Sequence, residues 1–327
     1  MESYQGKLAV VTGGGTGIGR ELVVQLAAAG CSVATCDVAA EALAETLKLA
    51  SDGAPDGTLV TTHACDVSDE AQVVAFRDEA LAAQGRDHVN LLVNNAGIAG
   101  GGSFLTGDRD EWERVFGVDW FGVYHCSRAF VPLLVAAEEA ALVNVSSING
   151  FWASLGPNTT HTAYSTAKFA VKGFSEALIG DFRLHAPHVS VHVVMPGHVG
   201  TDIALNSFRA KGREAPGFTE EDLAEIRAAS RRRGREVDHL DDDQLRAEVT
   251  ELGQAYRDNA PLSAAGAATI ILDGVRAGHW RILVGEDAER LDEWVRAHPR
   301  QAYDPPAEPL PFDVNAMAPE EEPAADA

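Results

Sequence analysis

The sequence predicts a doubly wound α/β fold, with a parallel sheet between two layers of helices, and three observations carry that prediction. Residues 8–11 are a short apolar run that passes directly into Thr12-Gly13-Gly14-Gly15-Thr16-Gly17-Ile18-Gly19 and then into a helical pattern over 20–29. Further short apolar runs at 32–36, 59–64 and 91–93 are separated by stretches with helical spacing, as over 70–84. Such alternation builds βαβ units. The third observation is an acid, Asp37, twenty residues after Gly17, where a dinucleotide-binding βαβ unit places one.

The chain has 327 residues, of which 46% are apolar, enough for one large α/β core. Its formal charge of −23 excludes a nucleic-acid partner, because most of the surface would repel a phosphate backbone. Cys31, Cys36, Cys65 and Cys126 have neither zinc-ligand spacing nor the density of a disulfide framework. They are expected to be buried thiols in a reduced, cytoplasmic protein. The polar stretch 1–7 leaves no room for an export signal, no segment has the apolar length of a membrane span, and no metal site is expected. The sequons at Asn144 and Asn158 are read as chance matches.

Taken in order, the glycines after the first strand let the backbone turn tightly and approach a pyrophosphate at the helix start. Asp37, closing the second strand, can accept hydrogen bonds from the ribose hydroxyls of NAD and would repel the extra phosphate of NADP. No arginine or lysine follows closely on Asp37 or stands in the loop around Thr16 to hold that phosphate. The alternative is that Asp37 only caps the helix starting near Ala39. The third strand ends in Cys65-Asp66-Val67 and the fourth in Asn94-Asn95-Ala96-Gly97. Polar and small residues thus gather where the carboxyl ends of parallel strands form a ligand crevice. Farther along, Tyr164 and Lys168 are four apart on one helix face. A positive neighbour should make the phenol easier to deprotonate and fit it for proton exchange with an alcohol.

Thr-Gly-x-x-x-Gly-x-Gly, then Asn-Asn-Ala-Gly, then Tyr-x-x-x-Lys, in this order and spacing, resembles the short-chain dehydrogenase/reductase family, over residues from about 7 to 202 plus a final strand. The resemblance implies a single Rossmann-type catalytic domain over 1–303, with seven parallel strands in the order 3-2-1-4-5-6-7 and one crevice for cofactor and substrate. It also implies a homo-oligomer, a dimer or tetramer. The cofactor residues it implies are Gly13, Gly15, Thr16, Gly17, Ile18 and Gly19 of the loop, Asp37, Asp66, Val67, Asn95, Ala96 and Gly97. Tyr164, Lys168, Pro196, Gly197, Val199 and Thr201 complete the set, with Thr201 expected on the nicotinamide carboxamide.

A long helix over 111–134 follows the fourth strand, and it holds Asp119 where the family commonly has an asparagine. An ionised carboxylate accepts hydrogen bonds but cannot donate, and it brings charge near the lysine. The relay attributed to that position is therefore expected to be altered, with Asp119 holding a water. The fifth strand, 141–145, ends in Ser146-Ser147; the family's catalytic serine matches Ser147, with Ser146 as fallback. Before the tyrosine the chain is longer than usual for the family, and Phe151, Trp152, Leu155 and His161 are candidates for an apolar pocket wall. Simple packing is the alternative for Trp152, and an ordinary loop histidine the alternative for His161.

The sixth strand, 189–194, leads to Met195-Pro196-Gly197-His198-Val199-Gly200-Thr201 and then to a polar insertion over about 202–260. Thr219 with Asp222 reads as a capping box, Phe218 with Leu223 as a hydrophobic staple, and Asp241 with Gln244 as a second start signal. Leu245, Val249, Leu252 and Tyr256 recur on one helical face. Two amphipathic helices would then form a lid or a subunit arm. The run Arg231-Arg232-Arg233-Gly234-Arg235 between them either holds an acidic thioester substrate or is a solvated turn balanced by Asp241, Asp242 and Asp243. A helix over 262–277, a seventh strand over 281–284 and an acidic, proline-rich tail over 304–327 complete the chain, with Leu310-Pro311-Phe312 as a docking candidate.

The expected activity is NAD-dependent hydride transfer between a bulky hydrophobic secondary alcohol and its ketone. Tyr164 would exchange the proton, Lys168 tune it and Ser147 orient the oxygen. The alternatives are an NADPH-dependent carbonyl or acyl-thioester ketoreductase, a non-catalytic NAD-binding sensor, and a dehydration or epimerisation on the same fold.

Overall fold

In the computed structural model, which describes residues 1–154, 160–203, 205–206, 218–232 and 235–304, the first apolar run forms β1, Leu8–Thr12. All five residues are buried, as a central parallel strand covered on both faces requires. It is followed by α1 (Gly17–Ala28), β2 (Ser32–Asp37), α2 (Ala40–Gly53), β3 (Val60–Ala64), α3 (Glu70–Gln84) and β4 (Leu91–Asn94). Each α-helix in this half crosses between parallel strands, and Asp69 caps α3 by accepting from the Ala71 and Gln72 amides.

The main sheet has seven strands in the order β3-β2-β1-β4-β5-β6-β9. β5 is Ala140–Val145, β6 Val189–Pro196 and β9 Arg281–Val284, and every pairing is parallel. This is the predicted Rossmann order, with the run at 281–284 as its outer strand. Alternate residues of β1 serve opposite layers. Ala9 and Val11 pack with Leu22 and Leu26 of α1 and Ile271 of α9 (Ala264–Arg276), whereas Leu8 and Val10 pack with Phe76 of α3 and Phe130 of α5 (Gly122–Val135).

Three features differ from the sequence expectation. The helix predicted over 111–134 is α4 (Arg109–Phe116) joined to α5 through a π turn, Gly117–Phe121. Leu262–Ser263 is a short strand, β8, paired in parallel with β7 (Val199–Gly200). The Ser263 hydroxyl then caps α9 by accepting from the Gly266 amide at 3.1 Å. Third, β9 is followed by an amphipathic helix, α10 (Glu286–Ala297).

That last helix accounts for Trp152. The indole is 2% exposed and packs with Ile148, Ala288, Leu291 and Ala302, and its Nε1–H donates to the Ala302 carbonyl at 2.7 Å. Trp152 is thus a core anchor for the C-terminal segment and does not line an open pocket. Phe151 packs beside the same cluster with the Arg281 guanidinium over its ring. Leu155, Asn158 and Leu310-Pro311-Phe312 lie outside the described residues.

The insertion contains α7 (Glu220–Arg232) and α8 (Asp242–Asp258). Asp241 and Gln244 form the predicted reciprocal capping box, and the Thr219 hydroxyl accepts from the Asp222 amide while Asp222 accepts from Thr219. Phe218, Leu223, Val237 and Leu245 form the small core beneath. Two arginines of the basic run are balanced locally, Arg231 by Asp238 at 2.6 Å and Arg235 by Glu248 at 2.9 Å. All four cysteines are free and buried. No helix among the described residues is long and apolar enough to cross a membrane.

Replacing Trp152 with alanine removes a large buried ring and a buried hydrogen bond, so Trp152→Ala should cost about 3–5 kcal/mol of stability. Thermal or urea unfolding would measure the loss. A change under about 1 kcal/mol would mean that the C-terminal segment does not depend on this anchor.

Candidate active site

The glycine loop between β1 and α1 is closed onto the end of β4. A Cβ at Gly13, where φ is +68°, would come within 2.8 Å of the Ala96 Cα, and one at Gly19 within 2.0 Å of the Gly13 carbonyl oxygen. Asn95 Nδ2 donates to the Thr12 carbonyl at 2.9 Å and the Gly13 carbonyl at 3.3 Å. The Thr12 hydroxyl accepts from the Asn95 and Ala96 amides, each at 3.0 Å. Thr16 precedes α1 without capping it, and the first turn of α1 carries no acid. The Thr16 hydroxyl accepts instead from Asn206 Nδ2 at 2.7 Å. An uncapped helix N-terminus behind a tightly packed glycine loop suits a pyrophosphate. Ile18 packs into the core behind the loop, and Gly17 faces Thr201, whose Cγ2 would lie 3.2 Å from an added Cβ.

Asp37 stands beside this loop. Its Oδ2 accepts from the Gly15 amide and its Oδ1 from the Ala39 amide, both at 3.0 Å. It therefore supports the start of α2 and faces the glycine loop at once. The nearby Arg20 guanidinium is engaged elsewhere, with the Gly15 carbonyl, the Thr46 hydroxyl and Glu45. Farther along the crevice, Asp66 Oδ1 accepts from the Ser68 amide and hydroxyl, and buried Val67 packs against Gly122.

On the other side of the switch in strand order, the two serines are placed differently. Ser146 is 2% exposed and donates to the Lys168 carbonyl at 2.7 Å, so it is a tie between β5 and α6 (Thr162–His185). Ser147 is on the Tyr164 side, where it acts to lower the pKa of the phenol, and its hydroxyl accepts from the Asn149 amide at 3.1 Å. Asn149 in turn holds the following loop by donating to the Trp152 and Ser154 carbonyls. The position of α6 is fixed by a buried polar chain. Asn94 Nδ2 donates to Asn144 Oδ1 at 2.8 Å, and Asn144 Nδ2 to the Ser175 hydroxyl at 2.9 Å.

Lys168 is 3% exposed. Its Nζ lies 5.3 Å from the Tyr164 ring centre, donates to the Val145 carbonyl at 3.3 Å and stands 3.8 Å from Asp119 Oδ2. Asp119 is completely buried in the π turn, an irregularity that often accompanies functional sites. Its Oδ1 accepts from the Ile98 amide at 2.8 Å, while Oδ2 has no hydrogen-bond donor among the described residues. Burial raises its pKa from the ordinary 3.8 to about 6, with Lys168 and the Ile98 bond opposing. Gly97 is essential to this approach, because an added Cβ would lie 3.2 Å from both Asp119 Oδ1 and Lys168 Nζ.

The Tyr164 phenol is shifted in the direction opposite to that expected from its lysine. Burial pushes its pKa up, the Asp119 carboxylate pushes it further, and the Ser147 hydrogen bond opposes. The lysine's charge is directed at Asp119. His161 stacks on Tyr164 with ring centres 4.5 Å apart, and its Nε2 accepts from the Gly100 amide at 3.2 Å.

The loop after β6 carries Pro196, Gly197, Val199 and Thr201 along the same crevice, and Asp287 of α10 buttresses it. A Cβ at Gly197 would strike the Asp287 carboxylate, whose Oδ2 accepts from the His198 amide at 2.6 Å. His198 Nε2 donates to the Tyr256 carbonyl at 2.7 Å, bringing the insertion onto this loop. Sequence reasoning missed His198, Tyr256, Asn149, Asn206 and Asp287. The apolar spacing of Leu291, Trp294 and Val295 was the available signal for α10, and hence for Asp287 at its start.

Comparison with known proteins agrees with this geometry. The family described as short chain dehydrogenase matches residues 7–212. The chain belongs to the short-chain dehydrogenase family. A Mycobacterium tuberculosis protein named as an oxidoreductase, SadH, is 32% identical over 296 residues, 90% of this chain and 92% of that one. A solved short-chain dehydrogenase/reductase of Burkholderia phymatum in complex with NAD superposes with a TM-score of 0.74 at 30% identity, covering 95% of this chain and 99% of that one. A metagenomic short-chain oxidoreductase in complex with NADP gives 0.52 at 31% identity, covering 59% and 83%. As a short-chain dehydrogenase the protein is an oxidoreductase with a nicotinamide nucleotide cofactor, and its uncapped α1 and glycine cradle fit that group.

Asp119 binds its proton more tightly in the folded chain than in the unfolded one, so its burial costs stability at high pH. The cost is absent well below pH 4, grows as pH rises from about 4 to 6, and is full above, at about 3 kcal/mol. Asp119→Asn should accordingly raise the melting temperature at pH 8, by about 1–3 kcal/mol of stability, with the gain shrinking as pH falls from 6 towards 4. A gain independent of pH would show that the carboxylate is not the source.

Proposed function

We propose that the protein is an NAD-dependent oxidoreductase that interconverts a bulky hydrophobic secondary alcohol and its ketone, with Tyr164 as general acid and base. The observation that carries this reading is Lys168, buried with its Nζ 5.3 Å from the Tyr164 ring centre, in the crevice where Ser147 acts to lower the pKa of that phenol. When bound, the cofactor supplies the hydride acceptor or donor. In the oxidative direction Tyr164 takes the proton from the substrate oxygen, and Ser147 holds that oxygen and steadies the charge that develops on it. Lys168 would hold the nicotinamide ribose, and it keeps its positive charge 5.3 Å from the Tyr164 ring centre. Asp119 Oδ2, buried and lacking a donor, holds a water on the proton path. Burial and then the Asp119 charge raise the phenol's pKa, which keeps Tyr164 in the protonated form that ketone reduction needs and makes alcohol oxidation dependent on a higher pH.

NAD is favoured over NADP because Asp37 presents a carboxylate beside the glycine loop and Arg20 is occupied by Glu45. The hydrophobic substrate class is supported by the aromatic and apolar character around Tyr164, including Ile98, Val115 and Trp112. The acyl-thioester alternative finds less support, since Arg231 and Arg235 of the basic run are paired with acids.

Tyr164→Phe should bind NADH as the parent does, by fluorescence, and lose at least about 100-fold in kcat, the lower range for a positioned acid or base. Retained turnover would overturn the role given to Tyr164. Asp37→Ala should narrow the preference for NAD over NADP by about tenfold or more in kcat/KM, roughly the worth of one or two hydrogen bonds plus a removed repulsion. An unchanged ratio would remove Asp37 from the ribose site.

A further inference from the structure

The segment that leaves β4 is laced to the start of α6. The Thr162 amide donates to the Gly102 carbonyl at 3.0 Å and the Ala163 amide to the Gly101 carbonyl at 3.1 Å. The Thr162 hydroxyl donates to the Gly101 and Gly102 carbonyls at 3.2 and 2.8 Å, and Trp112 Nε1 donates to that hydroxyl at 3.2 Å. Gly101 allows so close an approach, because its φ is +65° and a Cβ there would strike the Ala163 Cβ. Three residues earlier the Ile98 amide holds Asp119. One stretch of chain, 98–102, thus fixes both a buried carboxylate and the helix start beside Tyr164.

His161 is the third group this stretch holds. The Gly100 amide donates to its Nε2 at 3.2 Å. A ring nitrogen that accepts carries no proton, so the imidazole is neutral with its hydrogen on Nδ1. The ring lies almost parallel to that of Tyr164, with centres 4.5 Å apart and planes 14° apart. A stacked contact of this kind is lost when either ring turns. The Gly100 bond therefore orients the imidazole, and the imidazole orients the phenol. A neutral ring adds no charge beside Lys168 and Asp119, so its effect on Tyr164 is geometric.

We propose that His161 is a positioning residue for the reaction, its imidazole forming a flat backing on Tyr164 that keeps the phenol aimed at the substrate oxygen. This rests on the alcohol–ketone reading above and adds a residue to it. A proton donor must stay aligned through the transition state, and misalignment costs rate rather than substrate binding. His161 is in this account neither a proton donor nor a pocket wall: its Nε2 is engaged by Gly100 and one face of its ring by Tyr164.

Two measurements test it. In the first, ketone reduction at saturating NADH is followed with whichever of acetophenone, cyclohexanone and 2-tetralone the parent reduces fastest. His161→Ala should lower kcat about three- to tenfold, the worth of one aromatic pair, with KM changed less than about twofold. His161→Gln, which keeps an acceptor but no ring, should lose as much, and His161→Phe, which keeps the flat ring, should recover most of kcat. An undiminished kcat in His161→Ala, a change confined to KM, or a His161→Phe no better than His161→Ala overturns the proposal. NADH binding by fluorescence confirms that each variant is folded. The second measurement needs no substrate. In protein labelled with 15N-histidine, the His161 signals are identified by their loss in His161→Gln. They should show the proton on Nδ1 at about pH 8 and ring protons displaced upfield, a displacement that vanishes in Tyr164→Leu. A proton on Nε2, or ring protons at ordinary positions, overturns the proposal. Should the parent reduce none of the ketones, the alcohol–ketone reading fails for this class, and the histidine signals still decide whether His161 backs the Tyr164 ring.

Discussion

A single short hydrogen bond, from the Ile98 amide to Asp119 Oδ1, determines how charge is arranged on the catalytic side of the crevice. It ties the π turn to the segment leaving β4 and leaves the second carboxylate oxygen facing Lys168 across 3.8 Å. An ammonium and a carboxylate, both buried, compensate one another only in part, because each loses water that the pair does not fully replace. The raised pKa of Asp119 is the measure of that imbalance. Tyr164 feels the negative member of the pair more than the positive one. The polar chain through Asn94, Asn144 and Ser175 keeps α6 from sliding away from this arrangement.

Much of the scaffold was legible because it rests on local chemistry. The glycines at 13 and 19 are required by close backbone approach, and such requirements are written in the residues themselves. The caps at Asp241 and Thr219 are equally local. The choice of Ser147 over Ser146 came from the family pattern, and its physical reason is visible only in three dimensions: Ser146 is occupied by the Lys168 carbonyl. For Trp152 the packing alternative held, and its hydrogen-bond partner, Ala302, is 150 residues away. Nothing near Trp152 in the chain announces that contact.

Other features were illegible for related reasons. The π turn breaks no hydrophobic period, so residues 111–134 read as one helix although Asp119 sits in an irregular turn. The effect of Lys168 on Tyr164 was judged from spacing alone, without the burial that dominates the phenol. Tyr256 was identified as part of an apolar stripe with Leu245 and Val249, and those two do pack inside the insertion. The stripe continues past that small core, and its last member meets His198 instead.

The pairing of Val199–Gly200 with Leu262–Ser263 gives the insertion a fixed doorway. The chain leaves the sheet and returns to it side by side, so α9 and β9 do not depend on how much polypeptide lies between. Lengthening a loop whose ends are already joined adds only about 0.6 kcal/mol of closure entropy for each doubling. Relatives could therefore exchange the whole segment beyond Gly200 for a shorter or longer one and keep the same sheet. The length of the insertion and the stability of the sheet are, in this chain, separately inheritable traits.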